Sequence, residues 1–385
     1  MREAPSSLLL VAAGELFAGA ERQILALLTH LGSDCPVTLA VFHDRELARR
    51  ARALGLDVVI LPGDGPLRVA AARRLAALVR EKGIEVVHFH GYKAAVHAAL
   101  ARLFVPFGSV ATIHGAPELQ GLSRLNRLRS RAYDVSERLA IRLTSALVVF
   151  VTRELALRLP ALRDRTQHYV VLNGIDRRTI ADLPQPEELA TPHCNVVIVG
   201  RLDTVKGITF AIEAMRDAQL PPSVRLCIVG DGPERERLER ESVGYALSDR
   251  VMFTGFRSDA AAFIAHAHLV LIPSLHEGLP YTMLEAIAAG TPIAASAVGG
   301  LAETLEQNRT ALLFPPGDVP AIVAALKSVA TDPALARQLG ERAQRDLLPR
   351  FDAATMARGY REIYAIARSQ SPRLQRAAPG KSSGL

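Results

Sequence analysis

The chain has 385 residues, which is too long for one ordinary domain and fits two. Hydrophobic residues make up 49%, and the absence of tryptophan argues against a carbohydrate-binding module built on stacked rings. The net charge is +7, but few aromatic residues are interleaved with the arginines, which argues against nucleic-acid binding.

The three cysteines are scattered and lack CxxC spacing, which is typical of reduced cytosolic thiols and not of a disulfide framework or a zinc site. The amino-terminal apolar run Leu8–Ala13 predicts a buried first strand. Glu15 soon interrupts this run. The charges of Arg2 and Glu3 cancel, so the positively charged leader typical of a signal peptide is missing. We therefore expect a cytoplasmic protein.

Short apolar runs alternate with helical patterns through the first half of the chain. Continuous Val/Ile/Leu runs are typical of buried parallel strands, and helical patterns such as Glu21–Leu31 fall between them. The alternation predicts an α/β fold with a doubly wound, Rossmann-like domain over residues 1–180. The predicted strands are Leu8–Val11, Val37–Phe42, Val58–Leu61, Val86–Phe89, Val110–Ile113, Ala146–Val151 and Tyr169–Leu172.

The pattern pauses over residues 181–194, where three prolines and no apolar run predict a linker. A second Rossmann-like domain follows over 195–351, and from 369 to 385 we expect a disordered tail. Because ligands bind beyond the carboxyl ends of parallel strands, two such domains predict a site in a central cleft. The second domain's predicted strands are Val196–Val199, Arg225–Val229, Val251–Thr254, Leu269–Ile272 and Pro292–Ala295.

Positive charge is concentrated between Gly121 and Arg165. Ten arginines accompany four acids there, a net charge of +6 that nearly accounts for the +7 of the whole chain. Arg124, Arg127 and Arg131 recur at helical spacing with leucines between them, which is typical of a helix lying on an anionic membrane surface. A solvated helix face would explain the same pattern.

Two strand-ending loops of the second half carry phosphate-binding features. Arg201 follows the strand Val196–Val199, and Lys206 comes five residues later. The planar guanidinium and the compact ammonium together suit a diphosphate, although a surface ion pair with Asp203 would explain Arg201 as well. The turn Gly230–Pro233 either lets a backbone approach a ligand closely or is an ordinary Gly-Pro turn.

The segment from Ser274 to Glu285 is the most informative in the chain. Pro280 favours a helix start, where backbone amides form an anion-binding cradle. The carboxylate of Glu285 can accept two ribose hydroxyls, and Glu277 precedes the turn. A capped core helix would explain Glu285 but gives no reason for the sequence Glu-Gly-Leu-Pro. The turn at 298–303 adds a second glycine-containing strand–helix junction, where Glu303 is interpreted as a helix-start acid.

In the first half, Gly19 joins the first strand to the first helix and allows a loop to approach a phosphate. His114 ends another strand, where it either is structural or hydrogen-bonds a sugar hydroxyl. His88 and His90 lie two apart on a strand, but no third ligand is near, so we expect no metal site.

Taken together, these motifs resemble the retaining glycosyltransferases of family 4, which share the GT-B architecture. The resemblance is most specific from Pro273 to Glu303, and the VVLNGID stretch, the GRL…KG loop and the VGDGP turn occur in the expected order. It implies that Arg201 and Lys206 bind the donor diphosphate and that Glu285 binds the ribose. It implies that Glu277 contacts the donor sugar, and the donor-sugar and phosphate site also includes Gly278, Leu279 and Pro280.

The resemblance also assigns the less conspicuous positions. Gly19 matches the first-domain glycine loop, His114 the histidine near the transferred sugar, and Phe256 and Arg257 the loop that reads the base. A helix over 352–368 would cross back onto the first domain. One departure is Ala18, which stands where the family often has a second glycine.

The resemblance implies sugar transfer with retention from a nucleotide-diphosphate sugar, for which a UDP-sugar and a GDP-sugar both stay open. The arginine-rich stretch favours a lipid-linked or polysaccharide acceptor assembled at the inner face of a membrane. The chain has no Asp-x-Asp pair, so we expect no metal and no cofactor. A sugar-nucleotide epimerase or hydrolase on the same fold stays open as an alternative. A dinucleotide oxidoreductase is disfavoured because no GxGxxG follows a strand.

Overall fold

A computed structural model describes Pro5 and residues 7–15, 17–31, 35–63, 69–115 and 124–371. The chain divides into two compact units, and each has its own parallel sheet. The first unit combines Met1–Gly174 with Ala353–Leu385, and the second comprises Ile175–Asp352. The expected tail over 369–385 lies largely outside the described residues.

The first unit contains a seven-stranded sheet in which every paired strand is parallel. Its order is β3-β2-β1-β4-β5-β6-β7, so the chain reverses direction across the sheet between β1 and β4. The strands are largely apolar and mostly buried, as the continuous apolar runs predict. They are β1 Leu8–Ala12, β2 Val37–Val41, β3 Asp57–Ile60, β4 Val86–His90, β5 Gly108–Ile113, β6 Leu147–Phe150 and β7 His168–Val170.

Helices connect these strands as the crossovers that parallel pairing requires. They are α1 Gly19–His30, α2 Glu46–Ala53, α3 Val69–Glu81, α4 Gly91–Arg102, α5 Arg124–Leu143, α6 Arg153–Arg158 and α7 Pro160–Arg163.

The second unit repeats the same winding with six parallel strands in the order β10-β9-β8-β11-β12-β13. Its reversal point lies between β8 and β11, which is where doubly wound sheets bind ligands. The strands are β8 Cys194–Val199, β9 Val224–Val229, β10 Val251–Gly255, β11 Leu269–Ile272, β12 Ile293–Ser296 and β13 Leu312–Phe314. The helices are α8 Ile208–Ala214, α9 Arg235–Gly244, α10 Ala260–Ala265, α11 Tyr281–Ala289, α12 Gly299–Thr304, α13 Val319–Thr331 and α14 Pro333–Leu347.

The last helix, α15 Ala353–Ser369, belongs to the first unit. Its residues Met356, Tyr360 and Tyr364 are buried in the core cluster that includes strands β1, β2 and β4. Its backbone lies so close to β5 that a Cβ added at Gly108 would collide with the carbonyl group of Ala367.

The segment 181–194, which the sequence predicts as a linker, lies within the second unit. A 3₁₀ turn, Glu187–Leu189, places Leu189 in a buried cluster of the second unit with Phe263. Asn195 Nδ2 donates to the Leu189 carbonyl at 3.0 Å, and the His266 ring lies 2.7 Å from the Leu183 carbonyl. The division between the units falls after Gly174, and the proline-rich segment packs Leu189 against the second unit's sheet.

Among the described residues, no single helix is both long enough and apolar enough to cross a membrane. The pair Val319–Thr331 and Pro333–Phe351 meets the length and composition criteria jointly but is bent by 103°. Apolar side chains of this pair, including Ile322, Leu326 and Leu339, are buried in the second unit's core.

Candidate active site

The loops that follow β8 and β9 are hydrogen-bonded to each other. The Leu202 amide donates to the Asp231 carbonyl at 2.9 Å, and the Glu234 amide donates to the Leu202 carbonyl at 3.0 Å. Gly230 has φ +142°, and a Cβ there would collide with the carbonyl group of Gly200. Close approach of two backbones therefore explains this glycine, beyond the needs of an ordinary turn.

The loop after β11 joins the same cluster. The Leu275 amide donates to the Val205 carbonyl at 2.8 Å, and the Thr282 hydroxyl donates to the carbonyl of Val199, the last residue of β8, at 3.1 Å. The motifs after β8, β9 and β11 thus lie together at the carboxyl edge of the sheet, next to its reversal point.

The loop after β12 completes the cluster at Gly299. This residue begins α12 with φ +48°, and a Cβ there would collide with the Glu277 carbonyl oxygen. Glycine is required at this position by both its backbone conformation and its neighbour.

Glu277 is the best-connected side chain of the site. It is only 8% exposed, and its Oε1 accepts hydrogen bonds from Lys206 Nζ at 2.6 Å and from the Ser274 hydroxyl at 2.7 Å. The two donors hold the carboxylate in one orientation, and the ion pair offsets the cost of burying its charge. Lys206 and Glu277 were each predicted as site residues from the sequence. Their contact and the hydrogen bond from Ser274 to Glu277 were not predicted.

Arg201 extends from the end of β8, with 59% of its side chain exposed. Its Nε lies 3.9 Å from Asp203 Oδ2, which is too long for a hydrogen bond, so the predicted surface ion pair is weak. Burial raises the pKa of Asp203, against the opposing effects of Lys206 and Arg201. Arg201 and Lys206 therefore place two cations at the carboxyl end of one strand.

Helix α11 begins at Tyr281, one residue after the predicted start at Pro280. Pro280 is the N-cap, and its backbone is extended with φ −71° and ψ 134°. Gly278 is half-buried, Leu279 is 5% exposed, and Glu285, in the second turn, is also 5% exposed. The positive end of the α11 dipole thus lies beside Glu277.

The loop after β10 presents one exposed ring and one anchored cation. Phe256 is 63% exposed, which leaves its ring accessible to a flat ligand. Arg257 donates to Glu188 at 2.7 Å and to Asp259 at 2.8 Å, and its guanidinium carbon lies 5.0 Å from the centre of the Phe263 ring. Its contacts anchor the segment around Glu188, a role that sequence analysis missed.

In the first unit, His114 follows β5 and pairs with His90. His114 Nε2 and His90 Nδ1 are 2.9 Å apart, and the two rings are stacked with centres 5.2 Å apart. Burial lowers the pKa of His114 to about 4, so its ring is neutral near pH 7 and one of the two paired nitrogens carries the shared hydrogen.

A buried hydrogen-bonded network extends from the same strands to α15. His88 Nδ1 lies 2.8 Å from the Tyr364 hydroxyl, and His88 Nε2 lies 2.8 Å from Thr112 Oγ1. The Tyr360 hydroxyl is 2.8 Å from Thr112 Oγ1 and accepts from Gln23 Nε2 at 2.8 Å. Both ring nitrogens of His88 therefore have structural partners, and the network binds α15 to the sheet.

Gly19 is the first residue of α1, and Ala18 is its N-cap. Ala18 has φ −127°, a conformation that any residue adopts, so its methyl group causes no backbone strain. Glu21 reaches back and accepts the Ala18 amide at 3.0 Å, which satisfies one of the donors at the helix start.

Two doubly wound parallel sheets, one with paired cations and carboxylates at its reversal point, define an α/β protein of the GT-B transferase class. A model described as Glycosyltransferase Family 4 matches residues 17–179, and one described as Glycosyl transferases group 1 matches residues 181–346. The chain therefore belongs to the group 1 glycosyltransferases, which resemble family 4. This finding confirms the predicted family, the α/β GT-B fold and the glycosyltransferase class.

Two curated relatives and one solved structure illustrate the similarity. The chain is 36% identical over 265 residues to the 2-deoxystreptamine N-acetyl-D-glucosaminyltransferase of Streptomyces fradiae, covering 64% of this chain and 61% of that relative. It is 30% identical over 237 residues to the lipopolysaccharide core biosynthesis glycosyltransferase LpsD of Rhizobium meliloti, covering 61% of this chain and 68% of the relative. Anabaena HepE in complex with UDP and glucose superimposes with a TM-score of 0.79 at 21% identity, over 93% of this chain and 98% of HepE.

Proposed function

We propose that the protein transfers a sugar, with retention at the anomeric carbon, from a nucleoside diphosphate sugar to a glycan or lipid-linked acceptor. The observation that carries this proposal is the cluster of Arg201, Lys206, Ser274 and Glu277 at the reversal point of the second sheet. UDP and GDP both remain donors to test, and the HepE structure with UDP and glucose supports UDP as the first choice.

Arg201 and Lys206 are the groups that bind the donor diphosphate. A guanidinium forms parallel hydrogen bonds to phosphate oxygens, and an ammonium supplies a compact charge with three donors. Because Lys206 is already held by Glu277 at 2.6 Å, its position is set before the donor binds. These cations stabilise the negative charge that develops on the leaving diphosphate. This role is the basis for proposing catalysis without a metal ion.

Glu277 positions the transferred sugar. Its Oε1 is occupied by Lys206 and Ser274, so the rest of the carboxylate is oriented for a sugar hydroxyl. Glu285 accepts the ribose hydroxyls from the second turn of α11, and the exposed ring of Phe256 contacts the base. The acceptor then attacks from the face of the leaving group, and His114, in the first unit, hydrogen-bonds a sugar hydroxyl.

Helix α5 supports the proposed approach to an acceptor at the cytoplasmic face of a membrane. Leu125, Leu128, Leu139 and Leu143 are each more than half exposed, and with Val135 they fall within an arc of about 80° at 100° per residue. Several arginines border this arc on one side. An exposed apolar stripe next to positive charge matches the chemistry of an anionic lipid surface.

The test is incubation of the purified chain with UDP-glucose, UDP-N-acetylglucosamine and GDP-mannose, with and without a panel of glycans, glycolipids and aminocyclitols. We expect one donor to be consumed only when an acceptor is present, equally well with EDTA, and proton NMR to show the donor's anomeric configuration in the product.

Lys206→Ala and Glu277→Gln should each reduce turnover by at least about 100-fold, which is the scale of one lost transition-state contact. Arg337→Ala, an exposed arginine on α14, is the control and should retain full activity. Donor hydrolysis or epimerisation that proceeds equally fast without any acceptor would favour the alternative enzyme, and inverted products would refute retention.

A further inference from the structure

The first unit contains a cavity of about 370 Å³ next to His114. Ile113 and Gly115, the neighbours of His114 in the chain, form part of its wall. Helices α4 and α5 and the segment from α6 to α7 supply the rest. This volume lies at the small end of the range for small-molecule sites and suits one sugar or cyclitol ring.

Two tyrosines that are stacked on each other line this cavity. The rings of Tyr92, on α4, and Tyr133, on α5, are stacked with centres 4.2 Å apart and planes 11° apart. Burial and the neighbouring Tyr133 raise the pKa of Tyr92 to about 12. An aromatic face attracts a cation that lies within about 6 Å of its centre. The stacked pair therefore offers aromatic surface to a ligand that carries positive charge.

Two carboxyl groups on α5 line the same cavity, and of these Asp134 forms an ion pair. Arg138 contacts both oxygens of Asp134, with Nε to Oδ1 at 3.0 Å and Nη2 to Oδ2 at 2.9 Å. Among the described residues, none donates a hydrogen bond to the half-buried carboxyl of Glu137. Burial and the Asp134 carboxylate raise the pKa of Glu137 to about 7, against the opposing effect of Arg138. A buried acid in this position is stabilised by a cationic ligand.

We propose that this cavity binds the acceptor and that Glu137 selects acceptors that carry a protonated amine, such as an amino sugar or an aminocyclitol. The amine pairs with Glu137, and the ring packs on Tyr92 and Tyr133. This inference rests on the proposed function, since it identifies the acceptor class of that reaction.

Binding of an amine should strengthen as pH rises from about 6 to 8, because Glu137 loses its proton over this range. The other ionisable groups that line the cavity are Asp134 and Arg138, which pair with each other, and Tyr92 and Tyr133, and His114 lies next to it with a neutral ring. Arg129 donates to the Tyr133 hydroxyl at 3.4 Å, and Lys93 and Glu15, which pair with each other, lie beside the two tyrosines. The segment from α6 to α7 contributes Leu159 and Leu162 to the wall.

The experiment compares binding of 2-deoxystreptamine, a cyclitol with two amines, with that of myo-inositol, an uncharged cyclitol of similar size, by calorimetry on the full chain at pH 7.5. We expect the diamine to bind at least tenfold more tightly. Glu137→Gln keeps the shape of the side chain and should remove most of this preference and its pH dependence. Glu81→Gln, an exposed acid on α3, is the matched control and should keep both.

UDP affinity, measured on the same samples, separates the two hypotheses. If UDP binds but the wild type shows no preference for the diamine, or Glu137→Gln keeps the preference, the inference about Glu137 is overturned while the proposed function stands. Because a poorly folded variant would also lose binding, circular dichroism and unchanged UDP affinity are required before a loss in Glu137→Gln counts as support. Glu137→Asp offers the same charge on a shorter arm and should retain part of the preference.

Discussion

Replacing Glu137 with glutamine should stabilise the free protein at alkaline pH and leave its stability nearly unchanged at acid pH. The folded-state pKa of about 7 lies above the ordinary value of 4.5, so the folded state binds the proton more tightly than the unfolded state. The contribution of Glu137 to the free energy of unfolding therefore falls as pH rises from about 4.5 to 7, and it stays constant above that range.

The raised pKa corresponds to at most about 3.5 kcal/mol of lost stability above pH 7, since one pKa unit is worth about 1.4 kcal/mol. Glutamine keeps the shape of the side chain and carries no charge, so Glu137→Gln should recover up to this amount at pH 8. Near pH 4 the glutamate is itself neutral, and the variant and the wild type should unfold together.

Urea unfolding of both proteins between pH 4 and 8, followed by far-ultraviolet circular dichroism because the chain lacks tryptophan, measures this difference. Glu81→Gln should change stability by less than about 0.5 kcal/mol at every pH, as surface substitutions usually do. A Glu137→Gln variant that is no more stable than the wild type at pH 8 would refute the reasoning, as would a gain that does not depend on pH.

Further outcomes follow from the other contacts. His90→Ala should reduce kcat/KM about tenfold and change the nitrogen-15 shifts of the His114 ring, and unchanged shifts would contradict the pairing. Gly299→Ala should cost at least about 2 kcal/mol in urea unfolding and weaken UDP binding, because φ is positive and Glu277 blocks the Cβ. Leu128→Ser should lower sedimentation with phosphatidylglycerol vesicles at least threefold, and equal binding to phosphatidylcholine vesicles would contradict the proposed anionic surface.

The strand pattern could be predicted because buried parallel strands are continuous apolar runs. Twelve strands were expected, and each occurs within two residues of its predicted ends. The thirteenth, Leu312–Phe314, was missed because three apolar residues between polar turns do not stand out from a loop. The packing of the 181–194 segment on the second sheet was not predicted for a related reason, since its buried apolar contact is the single residue Leu189.

The site could be predicted only where its residues are close in sequence. Glu277, Pro280 and Glu285 form one local motif, whereas the contact between Lys206 and Glu277 joins positions 71 apart. The His88 network depends on α15, 276 positions further along the chain. Folding alone brings such partners together, so periodicity and spacing carry no signal for them.

The sequence did not indicate the cavity lined by Asp134 and Glu137, for a different reason. In the sequence, Glu137 is one of four acids within a strongly basic segment, which favours interpretation by net charge. The structure shows that Arg138 is paired with Asp134, so the net charge of the helix does not describe the surroundings of Glu137.

Calorimetric titration of the full chain with UDP, GDP, ADP and NAD tests the central claim most directly, repeated on Arg201→Ala and on the control Arg337→Ala. We predict saturable binding of one nucleoside diphosphate, weakened at least about tenfold in Arg201→Ala, which loses a charge-assisted contact worth about 1.5–3 kcal/mol, and unchanged in the control. Binding of NAD alone, or equal affinity in Arg201→Ala and the wild type, would contradict the assignment of this cluster as the donor site.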